Sequence, residues 1–192
     1  MKNISLFLIV FLICSGSCKT SKPVAASVIP VVQQESPSAV HSETDFSDPS
    51  TWLLGYFDVS RLHQPPYSTW YMTGYDDYKY NAEAVNKLEW IEKSGITIKI
   101  VMGTWCPDSR REVPRFMKVV DAGKFSADKI QLIGVDNQKN PSVENWGSLN
   151  IQRVPTFIIY KNNIETGRII ENPTTSLEQD ILNILIGNEL KQ

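Results

Sequence analysis

The segment Trp105-Cys106-Pro107-Asp108-Ser109 contains a cysteine whose thiol is predicted to be the protein's reactive group. The apolar stretch 96–102 predicts a buried strand before it, and Pro107 is typical of the first position of a helix. Cys106 would then lie over unpaired amide groups at the positive end of that helix, where a thiolate is stabilised. Because a thiolate is the nucleophile that attacks disulfides, the segment predicts a reactive sulfur.

The neighbours of Cys106 act on a thiolate in opposite directions. Arg110 and Arg111 would stabilise it if they turn toward it, Asp108 would destabilise it, and Ser109 can donate a hydrogen bond to it. Two other interpretations of the cysteine stay open. It can be a small buried side chain without a chemical role, or it can reduce peroxide, although the run 104–106 lacks the threonine-to-cysteine spacing of peroxiredoxins.

The elements that must position this segment follow from apolar spacing and from helix and turn signals. A β-strand, a crossover helix, a second strand, a hairpin and a terminal helix in this order require a mixed sheet covered on both faces, an α/β sandwich. The predicted elements are a helix from Asn81 to Gly95, a strand over 96–102, a helix from Pro107 to Gly123, a strand over 130–135, a short helix near 143–149, strands over 156–160 and 164–170, and a helix starting at Thr175 with a capping box to Glu178.

From residue 81 to residue 192 the chain resembles the thioredoxin family. The run 105–109 resembles the family's Trp-Cys-x-x-Cys motif, and Pro114 matches the proline that kinks the active-site helix. Val154-Pro155-Thr156 resembles the cis-proline loop that faces the active-site sulfur across the cleft. The three motifs occur in the family's order on matching elements.

The resemblance implies a thioredoxin-like three-layer sandwich with a mixed central sheet. It also implies a cis peptide bond before Pro155, where a trans bond is the alternative. The backbone of Val154 would pair with an extended substrate chain, and Trp105 and Pro107 would line the same groove.

The chain departs from the family at two positions. Ser109 stands where the resolving cysteine is usual, and Ile100 stands where a buried aspartate often assists that cysteine. A hydroxyl group does not attack a mixed disulfide at neutral pH, so Cys106 needs an outside thiol or a second substrate cysteine for release. The two departures agree, because a buried carboxylate would cost desolvation with no thiol to deprotonate.

The first 18 residues have the pattern of an export signal. Lys2 is followed by the apolar run 4–13 and by small residues 15–17 before Cys18. A permanent membrane-spanning helix is the weaker interpretation, since about 20 apolar residues are needed to cross a bilayer. The pattern resembles the lipobox of bacterial lipoproteins, although Ser15 stands where leucine is usual. This implies cleavage before Cys18 and a lipid on that residue, with a cleaved, secreted protein as the alternative.

A lipidated Cys18 changes the count of free thiols. Cys14 would leave with the signal, so Cys106 would be the only free thiol and no internal disulfide would be possible. Residues 19–45, rich in Ser, Pro, Val and Gln, predict a flexible tether. The protein is therefore expected to be exported to the periplasmic side of the cell envelope and anchored in a membrane, with a secreted protein as the alternative.

More than half of the chain's aromatic residues lie between Phe46 and Tyr80. This density predicts a folded, mostly irregular extension over 46–80 that packs on the main domain, and an aromatic platform for a sugar or peptide is the alternative. The 192 residues fit one domain with appendages. The net charge of -2, without long charge runs, argues against a nucleic-acid surface, and the two histidines, His41 and His63, offer no metal-ligand pattern. No cofactor is expected.

The predicted function is thiol-disulfide exchange on exported proteins by a monothiol oxidoreductase or isomerase, with Cys106 as the nucleophile and Ser109 beside it. Its partners would be protein or peptide disulfides and an external thiol. The alternative is a non-catalytic thioredoxin-fold module that holds a partner in the Val154-Pro155 groove. Lasting covalent trapping would favour the module, and repair of scrambled disulfides would favour the enzyme.

Overall fold

The computed structural model describes residues 44–141, 143–144 and 146–189. The predicted signal segment 1–18, the lipidation site Cys18 and the tether up to residue 43 lie outside the described residues. Within the described part of the chain, no helix combines the length and hydropathy needed to cross a membrane.

Nine helices and strands form the described fold, together with short 3-10 helices. In chain order they are β1 (Gly55–Phe57), α1 (Ser68–Asp77), α2 (Ala82–Trp90), β2 (Ile96–Met102), α3 (Pro107–Ala122), β3 (Ile130–Gly134), β4 (Thr156–Lys161), β5 (Ile164–Ile170) and α4 (Leu177–Glu189).

The strands form one sheet in the order β1-β3-β2-β4-β5. β2 and β3 are parallel and are joined through α3, whereas the other neighbouring pairs are antiparallel. β4 and β5 form the expected hairpin, and its turn residues Asn162 and Asn163 both have positive φ, as a two-residue type I′ turn requires. The α/β fold with a mixed sheet is confirmed.

Two clusters of apolar side chains form the core. The larger cluster contains residues of all four helices together with alternate residues of β2, including Ile98 and Ile100. The rings of Phe116 and Phe157 stack within it, with their centroids 4.1 Å apart. The smaller cluster joins Cys106 with Val101 of β2, Ile133 of β3 and the loop residues Val135 and Val154, and the segment 146–151, which includes a 3-10 helix, packs against it. Cys106 therefore lies apart from the main helical core.

The extension 46–80 is more regular than the sequence indicates. It contributes the edge strand β1, which pairs with β3, and the helix α1, which packs on α3. Gly74 of α1 lies so close to α3 that a Cβ there would be 2.7 Å from Pro114 Cγ. The prediction of a mostly irregular segment is wrong, because α1 is stabilised by this helix packing and has little amphipathic pattern of its own.

The start of the last helix also differs from the prediction. α4 begins at Leu177, and the hydroxyl of Ser176 accepts a hydrogen bond from the Gln179 N–H at 3.3 Å. The proposed capping box is wrong, because the Glu178 side chain is buried and accepts hydrogen bonds from the Asn81 N–H at 2.6 Å and the Tyr78 hydroxyl at 2.9 Å. Glu178 thereby joins the end of the extension and the start of α2 to α4.

A buried and a partly buried tyrosine of the extension, Tyr71 and Tyr75, make the fold sensitive to alkaline pH. Burial, and secondarily the charge of Asp121, raises the pKa of Tyr71 above the ordinary 10.0. Burial and the hydrogen bond to Asp121 raise the pKa of Tyr75 to about 12. Above pH 10 the unfolded chain therefore releases phenolic protons that the folded chain retains, so stability falls as the pH rises.

We expect the free energy of unfolding to decrease from about pH 10 upward, with Tyr71 contributing up to about 1.4 kcal/mol per pH unit. Denaturant unfolding at a series of pH values measures this slope. Tyr71→Phe should flatten it, and an unchanged slope in that variant would contradict the assignment.

Candidate functional site

Cys106 lies at the junction between β2 and α3. It is the N-cap residue of α3, with Pro107 in the first turn, and has extended backbone angles. Its N–H donates to the Gly103 carbonyl at 3.0 Å, and its carbonyl accepts from the Arg110 N–H at 3.1 Å. The backbone at the helix start thus forms a tight turn over residues 103–106, and Cys106 lies at the end of the strand and the start of the helix, as the sequence predicts.

The sulfur of Cys106 faces the cis-proline loop. The Val154–Pro155 peptide bond is cis, and the Cys106 Sγ donates a hydrogen bond to the Val154 carbonyl at 3.3 Å. The Cys106 side chain is buried, with an exposed fraction of 7%. Only the protonated thiol can make this hydrogen bond, so loss of the proton frees the Val154 carbonyl for another donor.

Ser109 does not bond the sulfur in this arrangement. It is fully buried, and its Oγ accepts a hydrogen bond from the Gly103 N–H at 3.2 Å. The sequence predicts a hydrogen bond to the thiolate, and in the structure the hydroxyl instead supports the turn that carries Cys106. Ile100, the other departure from the family pattern, is fully buried in the larger core cluster, where a carboxylate would lack solvent.

Of the two arginines that follow Cys106, one contacts the turn that carries the cysteine and the other pairs with carboxylates. Arg110 Nη1 donates to the carbonyls of Thr104 at 2.9 Å and Trp105 at 3.0 Å, which brings a guanidinium group to the turn. Arg111 instead pairs with Asp108 at 2.7 Å and with Glu112 at 2.7 Å. The carboxylate of Asp108, predicted to oppose a thiolate, is therefore partly balanced by Arg111.

The aromatic side chain of Trp105 packs against the cluster that contains Cys106. Its indole N–H donates to the Val135 carbonyl at 2.9 Å, and its ring lies 6.2 Å from the ring of Trp52 in the extension. Gly103 makes room for this ring, since a Cβ there would be 2.5 Å from it. Pro107, the other predicted groove residue, is exposed at the start of α3.

The loop that carries Val154 and Pro155 is fixed from both sides. The Thr156 hydroxyl donates to the Arg153 carbonyl at 2.6 Å, and the Pro155 carbonyl accepts from the Glu171 N–H at 2.7 Å. Arg153 and Glu171 form an ion pair at 2.7 Å on the same rim. Cys106, Val154 and Pro155, predicted to face one another, therefore lie together.

Thr104 is a site residue that sequence reasoning missed. It is fully buried, its hydroxyl donates to the Thr51 carbonyl at 3.2 Å, and it accepts from the Leu53 N–H at 3.3 Å. No local pattern marks these contacts, because their partners lie far upstream in the extension.

Among residues 44–141, 143–144 and 146–189, no group of three His, Cys, Asp or Glu side chains is arranged to hold a metal ion.

Comparisons with known proteins place the chain by its sequence. The family model described as Thioredoxin matches residues 82–183. No curated protein matches the chain.

Two solved structures are similar to part of the chain. One is a protein of unknown function from Pseudomonas aeruginosa, with 14% identity and a TM-score of 0.45 over 65% of this chain and 82% of its own. The other is an HIV epitope scaffold, with 16% identity and a TM-score of 0.40 over 65% of this chain and 74% of its own.

Proposed function

The chain belongs to the thioredoxin family, and from this premise we propose that it catalyses thiol-disulfide exchange on exported proteins with Cys106 as the single nucleophile. The observation that carries the proposal is the pairing of Cys106 with the cis-proline loop, in which the Sγ lies 3.3 Å from the Val154 carbonyl. A substrate disulfide that meets Cys106 lies beside a backbone carbonyl able to accept an N–H of an extended chain.

Exchange at one thiol proceeds in two balanced steps. Cys106 loses its proton to solvent, and the thiolate attacks one sulfur of a substrate disulfide, forming a mixed disulfide and releasing the other sulfur as a thiolate. A second thiolate, from the substrate or from a small external thiol, then attacks the substrate sulfur of the mixed disulfide. This step forms a new disulfide and restores the Cys106 thiolate.

No net oxidation or reduction occurs when the second thiolate belongs to the substrate, so this route rearranges disulfides. Ser109 favours it, because a hydroxyl group does not compete for the mixed disulfide. Net reduction instead needs two external thiols, which become one disulfide.

The aromatic side chain of Trp105 and the buried sulfur of Cys106 also support a second candidate function. Since Cys106 is largely buried and its thiol is hydrogen-bonded, a module that binds a partner chain without turnover fits the same groove. The two candidates differ in turnover. An enzyme repairs scrambled disulfides over repeated cycles when thiol is present, and a binding module holds its partner without repair.

We also propose that the chain is exported, cleaved before Cys18 and acylated on that residue. Residues 19–45 would then tether the domain to a membrane on the periplasmic side, and disulfides of exported proteins would be its substrates. The apolar run and the small residues ahead of Cys18 support this localisation.

The test of the enzyme is repair of a scrambled-disulfide protein at increasing concentrations of a small thiol. We expect the repair rate to rise with thiol and to reach a plateau, because release of the mixed disulfide limits turnover at low thiol and substrate attack limits it at high thiol. The chain is used with Cys14→Ser and Cys18→Ser, so that Cys106 is its only thiol. A repair rate equal to that without protein at every thiol concentration contradicts the enzyme.

A further inference from the structure

Thr104 joins the turn that carries Cys106 to the aromatic extension. Its hydroxyl is fully buried and acts both as donor to Thr51 and as acceptor from Leu53. A hydroxyl group with both a donor and an acceptor partner has one preferred orientation. The side chain two residues before the nucleophile is therefore fixed by a segment outside the thioredoxin-matched region, which begins at residue 82.

The segment of the extension that hydrogen-bonds Thr104, residues 51–53, makes further hydrogen bonds and packing contacts of its own. The Thr51 carbonyl also accepts from the Tyr67 hydroxyl at 2.9 Å, and the Trp52 indole N–H donates to the Phe46 carbonyl at 3.0 Å. Leu53 packs so closely on β3 that a Cβ at Gly134 would be 2.0 Å from the Leu53 carbonyl oxygen. The partner of Thr104 is thus itself anchored by hydrogen bonds within the extension and by close packing on β3.

The extension contacts the same turn at two further side chains. Trp52 packs on Trp105, and the Phe46 ring lies 4.8 Å from the guanidinium carbon of Arg110, which caps the carbonyls of the turn. These contacts all surround the backbone that directs Cys106 toward Val154. A small rotation of this turn would move the sulfur away from the cis-proline loop.

We propose that Thr104 is a positioning residue for exchange at Cys106, which makes residues 46–53 part of the functional site. This inference rests on the proposed exchange activity. Without the hydroxyl, the turn retains its covalent geometry but loses the two hydrogen bonds that select the orientation in which Cys106 faces Val154. The loss lowers the fraction of molecules that react productively and leaves the substrate groove in place.

Thr104→Val tests the proposal in the full chain with Cys14→Ser and Cys18→Ser, because it replaces the hydroxyl by a methyl group of similar shape. We expect kcat for disulfide repair to fall about tenfold with KM unchanged, the effect of losing one to two hydrogen bonds. Thr104→Ser keeps the hydroxyl and should restore kcat to within about twofold. Tyr78→Phe is the matched control, since it removes a hydrogen bond to Glu178 away from the turn and should leave kcat unchanged.

Each outcome decides the proposal. A kcat of Thr104→Val equal to that of the unsubstituted chain overturns it and leaves the exchange activity standing. An equal loss of kcat in Tyr78→Phe, after correction for the folded fraction from denaturant unfolding, shows that the effect is not specific to the turn of Cys106 and also overturns it. Absence of exchange in the unsubstituted chain overturns the proposed function, and this inference with it.

Discussion

Ser109→Cys is expected to shorten the lifetime of a mixed disulfide at Cys106 on the order of 100-fold or more relative to release by about 1 mM external thiol. Positions 106 and 109 lie one turn apart at the start of α3, and Cα atoms at this spacing in a helix are about 5 Å apart, within the range of disulfides. The introduced thiol loses its proton to solvent and attacks the Cys106 sulfur. The substrate thiolate leaves, and an internal disulfide remains.

The change also alters the net reaction. The two thiols of the variant donate two electrons to the substrate disulfide, so the variant becomes a reductase that needs an external reductant for each cycle. Mass analysis of the intact protein after mixing with a disulfide probe follows both species over time. Ser109→Ala is the control, because it removes the same hydroxyl without adding a nucleophile, and its mixed disulfide should persist. Equal lifetimes in the two variants would contradict the assignment of Ser109 as the position that determines monothiol behaviour.

Cys106→Ser is expected to reduce disulfide repair to the uncatalysed rate. The substituted hydroxyl can still donate to the Val154 carbonyl, so the free energy of unfolding should change by no more than about 1 kcal/mol. Disulfide repair and denaturant unfolding, both measured on the chain with Cys14→Ser and Cys18→Ser, check the two parts. Repair that survives in this variant would assign the activity to another group, and retained partner binding with no repair in either chain would favour the binding module.

The elements that position the site were largely predictable because their signals are local. The bounds of β2 and β5 agree with the apolar runs 96–102 and 164–170, and Pro107 and Asn81 mark the starts of α3 and α2. These features depend on residues adjacent in sequence, and the hydrophobic pattern or helix cap is sufficient to define them.

Elements stabilised by distant contacts were not predictable in the same way. α1 contains three aromatic side chains and a glycine in a sequence with little amphipathic character, and its position follows from packing of Gly74 against Pro114. Glu178 fits a local capping box by spacing, but the backbone N–H of Asn81 and the hydroxyl of Tyr78 bind its carboxylate instead. Tertiary hydrogen bonds override a local cap when they bury the same carboxylate.

The candidate site likewise combines features that the sequence predicts with features that depend on distant contacts. The meeting of Cys106 with Val154 and Pro155 was predictable from the family motifs, since these motifs occupy matching elements of a known fold. The contacts of Thr104 with the extension were not, because neither partner belongs to the motif and hydrogen bonds to backbone groups leave no signature in side-chain identity.

The most direct test of the account is the formation of a mixed disulfide at Cys106 in the folded protein. The full chain with Cys14→Ser and Cys18→Ser is mixed with an aromatic disulfide probe that releases a coloured thiolate, and peptide mapping locates the adduct. We predict one adduct per chain, on Cys106, which persists until external thiol is added and then disappears as free Cys106 returns. No adduct in the folded protein, with full labelling after denaturation, would contradict the claim that Cys106 is a nucleophile for disulfides.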